Sequence, residues 1–200
     1  MSTLIVMKSK RTYTMTARAE AAERTRAEIL DAAVHLATTR LLADISLSDI
    51  AAGAGVSVQT VLRRFGSRAG LIDAATAHAA REVVEERQAP VGDAAAAVEV
   101  VVAHYELRGD GVVLLLAQET IDPQVRRITD NGRRVHREWV EAVFAPYLPP
   151  PPVAREALVD LLVVATDVYT WKLLRRDRGL DRTATQQRMH QMVSALTTQE

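Results

Sequence analysis

The sequence predicts an all-α protein of about nine helices. Its 200 residues include 32 alanines, the residue type with the highest helix propensity. Almost no segment alternates apolar and polar residues with the period of two that is typical of a β-strand. Capping residues and helix breakers divide the chain into segments of ordinary helix length.

Three helices are predicted in the first third of the chain. The first covers about residues 17–40, in which apolar residues recur at spacings of three and four. Ser46 and Asp49 have the spacing of a capping box and open a short helix at residues 47–52. Ser57 has the position of an N-cap for a second short helix at residues 58–65.

The remaining helices follow from the same signals. Gly109 and Gly111 predict a turn at residues 108–111, and the proline run at residues 149–152 predicts another break. The predicted helices cover about residues 67–88, 93–107, 112–120, 123–144, 153–176 and 182–197.

We expect a flexible N-terminal tail at residues 1–16, a helix-turn-helix domain at 17–66 and a second helical domain at 67–200. Residues 1–68 carry ten basic and six acidic side chains, whereas the whole chain has a formal net charge of zero. This distribution is typical of a basic, phosphate-facing module beside a slightly acidic helical body.

Composition excludes several classes of protein. The chain has no cysteine, which rules out a disulfide-stapled scaffold, a thiolate zinc site and a cysteine nucleophile. Its longest apolar stretches fall short of the roughly 18 residues that a membrane span needs. Residues 4–7 are too few for the core of a signal peptide. We therefore expect a cytoplasmic protein without a membrane partner.

Residues 46–65 contain the pattern that indicates function. Two short capped helices joined by a glycine-containing turn have helix-turn-helix geometry, although an ordinary αα-corner has similar spacing. With Val61 facing inward, Gln59 and Arg63 point nearly opposite, and Thr60 and Leu62 flank them. Glutamine pairs with adenine edges and arginine with guanine, while threonine and leucine can contact thymine methyls.

The same region resembles a known family. The resemblance is carried by Thr25-Arg-Ala-Glu-Ile-Leu-Asp-Ala-Ala33, Leu47-Ser-Asp-Ile-Ala-Ala-Gly-Ala-Gly-Val-Ser57, Thr60-Val-Leu-Arg-Arg-Phe65 and Ser67-Arg-Ala-Gly-Leu-Ile72, over about 48 continuous residues. These stretches are similar to the N-terminal domain of TetR-family transcriptional regulators. The resemblance implies a three-helix DNA-binding domain, a connecting fourth helix and a larger helical domain that binds a small molecule and dimerises.

The resemblance, together with the helical wheel, assigns DNA contacts to nine residues. They are Ser46, Ser48, Val58, Gln59, Thr60, Leu62, Arg63, Arg64 and Arg68. The pattern departs from the family at several of them, because Leu62 replaces a tyrosine that typically reaches DNA, Arg64 a frequent histidine and Arg68 a usual lysine. Leu62 therefore favours the alternative hypothesis of a helical small-molecule-binding or scaffolding protein that no longer binds DNA.

The C-terminal part offers weaker signals. In the family, the helices corresponding to residues 153–176 and 182–197 form the dimer interface, although a buried monomer core would give similar apolar stripes. Polar or aromatic residues among apolar neighbours are candidates for a ligand pocket, but each alone is more often a core or surface residue. The candidates are His104, Tyr105, Gln118, Glu119, Trp139, Thr166, Tyr169 and Thr170.

Signatures of catalysis are missing from the sequence. The segment from Gly55 to Gln59 lacks the final glycine of a nucleophile elbow, and Gly53 and Gly55 lack the third glycine of a dinucleotide-binding loop. The five histidines form no metal-binding pair on one helix. We expect no enzyme, cofactor or metal. The predicted function is a ligand-responsive repressor that binds a palindromic double-stranded DNA operator as a homodimer and is released by a small-molecule effector.

Overall fold

A computed structural model describes residues 3–198, with side chains from Ala19 onward. The described residues form helices and contain no strand, which confirms the predicted all-α fold. None of these helices combines the length and the apolar character that a membrane span requires.

The helices are named α1 to α9 in chain order. Their bounds are α1 Thr3–Ala37, α2 Leu47–Gly53, α3 Val58–Phe65, α4 Arg68–Glu86, α5 Ala94–Leu116, α6 Pro123–Val143, α7 Pro152–Ala165, α8 Val168–Lys172 and α9 Arg182–Thr197. Single 3₁₀ turns occur at Leu42–Asp44 and Ala145–Tyr147, and a π-helical turn at Leu173–Asp177 follows α8.

Helix α1 begins at Thr3, upstream of the predicted start at residue 17, and ends at Ala37 instead of residue 40. The side chains of residues 1–18 are outside the described set. The tail predicted at residues 1–16 and the domain limits at residues 17–66 and 67–200 stay predictions. By contacts, the chain divides into one compact unit of residues 1–36 and 45–76 and another of residues 37–44 and 77–200.

The first unit packs α1, α2, α3 and the start of α4 around a small apolar core. Ile29, Ile50, Val61 and Leu71 are fully buried there, one from each helix. In α2, a Cβ on Gly53 would lie 3.3 Å from the Cβ of Ala32, so the glycine lets α1 and α2 cross closely. This core fixes the orientation of the short helices α2 and α3.

The second unit has a larger core formed by α5 to α9. Its fully buried side chains include Val98, Val101 and Val102 on α5, Val140 on α6, Leu162 on α7, Trp171 on α8 and Met189 on α9. Burial at roughly 25 cal/mol per Å² of apolar surface makes such a cluster the main source of stability for the unit.

The turn predicted at residues 108–111 is wrong, because α5 runs through it without interruption. Gly109 lies against the indole of Trp171, and a Cβ there would be 2.5 Å from the ring atom Cζ3. Gly111 lies equally close to Thr38, with a Cβ position 2.5 Å from the threonine Cβ. Both glycines serve close packing, and the helix tolerates them because the contacts outweigh a propensity cost of roughly 1 kcal/mol each.

The single helix predicted at residues 153–176 is also wrong. Helix α7 ends at Ala165 and α8 begins at Val168, with Asp167 between them as an N-cap. The carboxylate of Asp167 accepts a hydrogen bond of 2.8 Å from the backbone N–H of Tyr169. A short polar residue that caps a helix also ends the preceding one, and the apolar stripe on both sides concealed this break.

Candidate nucleic-acid interface and ligand site

Two side-chain caps fix the helix-turn-helix. Ser46 Oγ accepts a hydrogen bond of 3.1 Å from the backbone N–H of Asp49, and the Asp49 carboxylate accepts one of 2.8 Å from the backbone N–H of Ser46. This reciprocal pair confirms the predicted capping box of α2. Ser57 caps α3, because its Oγ accepts a hydrogen bond of 3.2 Å from the backbone N–H of Thr60.

Glycines flank helix α3 on both sides. Gly55, in the turn between α2 and α3, has φ 65°, and Gly66, which ends α3, has φ 74°. These left-handed conformations are costly for residues with a Cβ. The glycines therefore restrict α3 to eight residues, Val58–Phe65, between two sharp changes of chain direction.

Helix α3 has one buried and one exposed face. Val61 is fully buried, whereas Gln59 and Arg63 are exposed and Leu62 is 41% exposed. This arrangement agrees with the helical wheel derived from the sequence. Thr60 is half-buried and its hydroxyl lies 3.0 Å from that of Ser57, so its methyl group is the part left for an apolar contact.

The other predicted DNA contacts surround this face. Ser48 is exposed and Val58 is half-buried. The hydroxyl of Ser46 is already engaged, since it also donates to the Asp49 carboxylate at 2.6 Å. Ser46 therefore positions α2 through its cap, and any contact to DNA from it must compete with that bond.

Arg64 lies in the last turn of α3, and Arg68 lies at the start of α4. Arg64 is half-buried and its Nε has no hydrogen-bond partner among the described residues. Arg68 is the first residue of α4 and its Nε donates to the backbone carbonyl of Ile45 at 3.2 Å. That bond ties the start of α4 to the segment before α2.

Residues 29–75, which include α2, α3 and the start of α4, match the family model of bacterial regulatory proteins of the tetR family. These residues form a TetR-family domain. The match falls on the capped helix pair described above. It confirms the family that the sequence motifs indicate.

Solved structures extend this likeness to the fold of most of the chain. A tetR-family transcriptional regulator from Streptomyces coelicolor is 20% identical with a TM-score of 0.66, over 87% of this chain and 80% of that one. A transcriptional regulator from Rhodococcus sp. Rha1 is 17% identical with a TM-score of 0.62, over 88% and 95%. The multidrug binding protein EbrR, solved with imidazole, is 21% identical with a TM-score of 0.56, over 88% and 90%. Among curated proteins, no sequence matches this chain.

Within the C-terminal unit of this TetR-type fold, four of the predicted ligand residues come together. The rings of His104 and Tyr105 lie 5.5 Å apart, and the Tyr105 hydroxyl donates to the backbone carbonyl of Thr166 at 3.1 Å. Trp139 joins them through His136, whose ring stacks on the indole at 5.7 Å and whose Nε2 lies 3.2 Å from the Thr166 hydroxyl. These residues belong to α5, α6 and the end of α7.

The other predicted ligand residues lie apart from this group and have structural roles. Gln118 accepts from the backbone N–H of Leu42 at 2.9 Å and thereby holds the 3₁₀ turn. Glu119 accepts hydrogen bonds from Thr129 and Arg133. Tyr169 is exposed, and the Thr170 hydroxyl donates to the carbonyl of Val164. The assignment of these residues to a ligand site stays a prediction without a supporting contact.

The sequence interpretation missed the cation at the centre of the group. Arg87 follows the last residue of α4, is only 6% exposed and donates to Nδ1 of His136 at 3.0 Å. Its guanidinium carbon lies 5.0 Å from the ring centre of Tyr105 and 5.9 Å from that of Trp139. Such distances are typical of cation–π contacts.

Burial and this cation keep both histidines neutral. Burial, followed by the charge of Arg87, lowers the pKa of His104 to about 3 and that of His136 to about 3. Nδ1 of His104 lies 2.8 Å from the carboxylate of Glu86, so a neutral imidazole donates to a carboxylate there. Burial raises the pKa of Glu86, but hydrogen bonds from Arg108 and His104 hold it below its usual value.

The helical period of α6 could have identified His136, which the sequence analysis did not assign to the ligand site. Val125, Thr129, His136 and Val140 are buried and follow one face of α6, so periodicity places His136 with the core in spite of the arginines around it. Those arginines pair with acids along the exposed face, as Arg126 does with Asp130. No local pattern distinguishes Arg87 from the charged residues before it, because its burial depends on helices far along the chain.

Proposed function

We propose that the chain is a ligand-responsive transcriptional repressor that binds a palindromic operator as a homodimer and is released by a small molecule. The observation that carries the proposal is the exposed face of α3, with Gln59 and Arg63 opposite the buried Val61 inside a TetR-family domain. A glutamine and an arginine can each read a base edge in the major groove through two hydrogen bonds. Such a repressor acts on chromosomal DNA and, in a bacterium, in the cytoplasm.

The exposed surface of α7 supports the dimer. Val153, Ala157, Leu161 and Val164 are exposed and follow each other at spacings of four, four and three residues. They form a continuous apolar stripe on the side opposite the buried Leu162. Covering such a stripe is favourable because it removes apolar surface from water. A second copy of the chain offers an identical stripe across a two-fold axis.

Two-fold symmetry sets the form of the operator. Paired recognition helices would enter successive major grooves about 34 Å apart, or at a modest multiple of that distance, so the two half-sites are inverted repeats. Sedimentation of the protein without DNA tests the dimer directly. A monomer at micromolar concentration would contradict it.

The buried polar group in the second unit supports the effector. His104, Tyr105, Trp139 and Thr166 converge there from three helices, which is typical of sites that orient a mostly apolar ligand. The likeness to the multidrug binding protein EbrR is consistent with this role. We expect the effector to weaken operator affinity roughly 5- to 150-fold, a coupling of about 1 to 3 kcal/mol.

Reciprocity gives a test of this coupling. An effector that weakens operator binding must itself bind the operator complex less tightly than the free protein, by the same factor. Equal affinity of the effector for free and operator-bound protein would contradict release by the ligand.

The DNA-binding part is tested by separating base reading from phosphate contact. Gel shifts with the promoter region of the protein's own gene identify the operator, and a scrambled duplex of equal length is the control. Gln59→Ala and Arg63→Ala should relax preference at one or two positions, at a cost of about 1 to 3 kcal/mol for a contact with two hydrogen bonds. Arg64→Ala and Arg68→Ala should weaken both duplexes alike and reduce the salt slope by about 0.9 per lost phosphate.

Two results would overturn this assignment. If Gln59→Ala and Arg63→Ala weaken operator and scrambled DNA equally, the face does not read sequence. If the wild-type protein binds neither duplex, the alternative of a helical binding or scaffolding protein is favoured. The exposed Leu62, which offers DNA no hydrogen bond, is the observation that supports that alternative.

A further inference from the structure

The cleft between α4 and α6 combines apolar walls with a buried cation. It has a volume of about 240 Å³ and is lined by Val83, Val84, Arg87, Val135, Glu138, Trp139 and Ala142. That volume corresponds to roughly eight water molecules at about 30 Å³ each, enough for one small ring with a substituent. Arg87 and Glu138 are the charged residues of the lining.

Arg87 carries a charge that acidic side chains balance only in part: burial raises the pKa of Asp167, and the charges of Arg133 and Arg87 oppose that rise. Arg87 forms no ion pair with any acid in the part of the chain that the structure describes, and its Nε is buried without a hydrogen-bond partner. Its nearest polar partner is His136, which is neutral. Burying a charge without a counter-ion is costly, so sites of this kind normally hold a partner of opposite charge.

Two other features of the fold compensate Arg87 only in part. Arg87 follows the last residue of α4, and the free carbonyls at the C-terminus of a helix carry about half a negative charge. The ring faces of Tyr105 and Trp139 add cation–π attraction. Glu138 lies at the same cleft, but it is exposed and pairs with Arg134. None of these supplies a buried acceptor for the guanidinium.

We infer that this cleft binds a small aromatic carboxylate, whose carboxylate pairs with Arg87 and whose ring packs between the valines and Trp139. A planar carboxylate matches the two parallel donors of a guanidinium. The indole N–H of Trp139 already donates to the backbone carbonyl of Arg87 at 2.8 Å, so its ring is held in place and offers its face. The inference rests on the proposed function only where it assigns the effector to the class of small aromatic carboxylates.

Benzoate is the probe and benzamide its uncharged counterpart of the same shape. Both are titrated into the free, full-length protein without DNA, by calorimetry and by quenching of tryptophan fluorescence. We expect benzoate to bind at least about tenfold more tightly than benzamide, because only benzoate pairs its charge with the guanidinium. Equal affinities, or no binding of benzoate, would overturn the inference without reference to any variant.

Arg87→Met tests the residue itself. This variant should lower benzoate affinity to that of benzamide, and it should retain the fold, because an uncharged side chain of similar length removes the cost of burying a charge. The matched control is Arg137→Met, which removes an arginine of the same helix as Trp139 that already pairs with Asp160 and Glu156. It should leave benzoate binding unchanged. Undiminished binding by Arg87→Met would overturn the inference.

Two more variants and a competition experiment with sulfate test the remaining features of the site. If Arg87→Met does not fold by circular dichroism, Arg87→Lys keeps the charge but loses the paired donors and should bind benzoate with intermediate affinity; wild-type affinity there would count against paired recognition. Trp139→Phe should abolish most quenching while calorimetric binding persists. Competition by sulfate at equal concentration would show a general anion site and contradict the carboxylate class.

Failure of this inference and failure of the proposed function give different results. Benzoate binding through Arg87 with unchanged operator affinity would keep the carboxylate site and contradict ligand-controlled release. Specific operator binding by a protein that does not bind benzoate would keep the DNA-binding function and remove the carboxylate site.

Discussion

Mild acid should destabilise the fold through two buried histidines. His104 and His136 are only 5% and 7% exposed, and burial together with the charge of Arg87 lowers the pKa of each to about 3. In the unfolded chain their pKa returns to about 6.5. Between these values the unfolded state binds more protons than the folded state, so stability falls as pH falls from 7 towards 3.

The size of the effect follows from these pKa values. From pH 7 to pH 5.5, an unfolded histidine passes from about one quarter to about nine tenths protonated, while both folded histidines stay neutral. Integration gives about 1.3 kcal/mol for each histidine and about 2.5 kcal/mol for the pair. A domain is typically stable by only about 5 to 15 kcal/mol, so this loss is easily measured.

Carboxylates make a smaller contribution in this range of pH. Burial raises the pKa of Asp167, so this one group opposes the loss of stability as pH falls. Several others have a lowered pKa in the fold, among them Glu86 and Asp110, and the stability that they contribute is lost as pH falls through and below their usual values of 4.5 and 3.8. That loss occurs mainly below pH 5.5. Between pH 7 and 5.5 the two histidines therefore dominate the expected change.

Urea unfolding, followed by circular dichroism at half-unit steps of pH, measures the effect. His104→Gln and His136→Gln should each remove about half of the change in unfolding free energy, and the double variant nearly all of it. Equal stability of the wild-type protein at pH 7 and pH 5.5 would refute this role of the two histidines. A double variant that kept the full pH dependence would refute it as well.

Three further predictions concern stability and assembly. Leu161→Glu places a charge in the exposed stripe of α7 and should convert the proposed dimer to a monomer in sedimentation; an intact dimer would place the interface elsewhere. Gly109→Ala should lower stability by about 1 to 3 kcal/mol in thermal unfolding, because its Cβ would overlap Trp171, whereas the control Gly132→Ala meets no atom within 4 Å and should gain up to about 1 kcal/mol. Ser57→Ala removes the cap of α3 and should cost about 1 kcal/mol in urea unfolding, with no loss arguing against the cap.

The helix-turn-helix was predictable because its signals are local. Ser46 and Ser57 cap helices that begin at the next residue, and Gly66 ends α3 one residue after Phe65. Each of these interactions spans three or four residues, so a linear pattern contains it. The exposed positions of Gln59 and Arg63 followed from the period of one short helix.

The C-terminal unit was less predictable because its determinants are distant in sequence. Gly109 indicated a turn, yet its neighbour is Trp171, which packs against α5 from another helix. Arg87 had the appearance of an exposed residue at a helix end, and contacts with Tyr105, His136 and Trp139 bury it. Such contacts depend on how helices cross, which propensity and caps do not specify.

The hydrogen bonds around His136 have a fixed direction. A guanidinium can only donate, so Nδ1 of His136 accepts from Arg87 and its proton is on Nε2. Nε2 then donates to the Thr166 hydroxyl at 3.2 Å, and that hydroxyl donates to the carbonyl of Leu162 at 2.7 Å. The tautomer of one imidazole thus joins the end of α4 to the end of α7 in a single donor-to-acceptor chain. A second proton on that ring would make Nδ1 a donor that faces the donating guanidinium of Arg87, and the series of hydrogen bonds would break at His136.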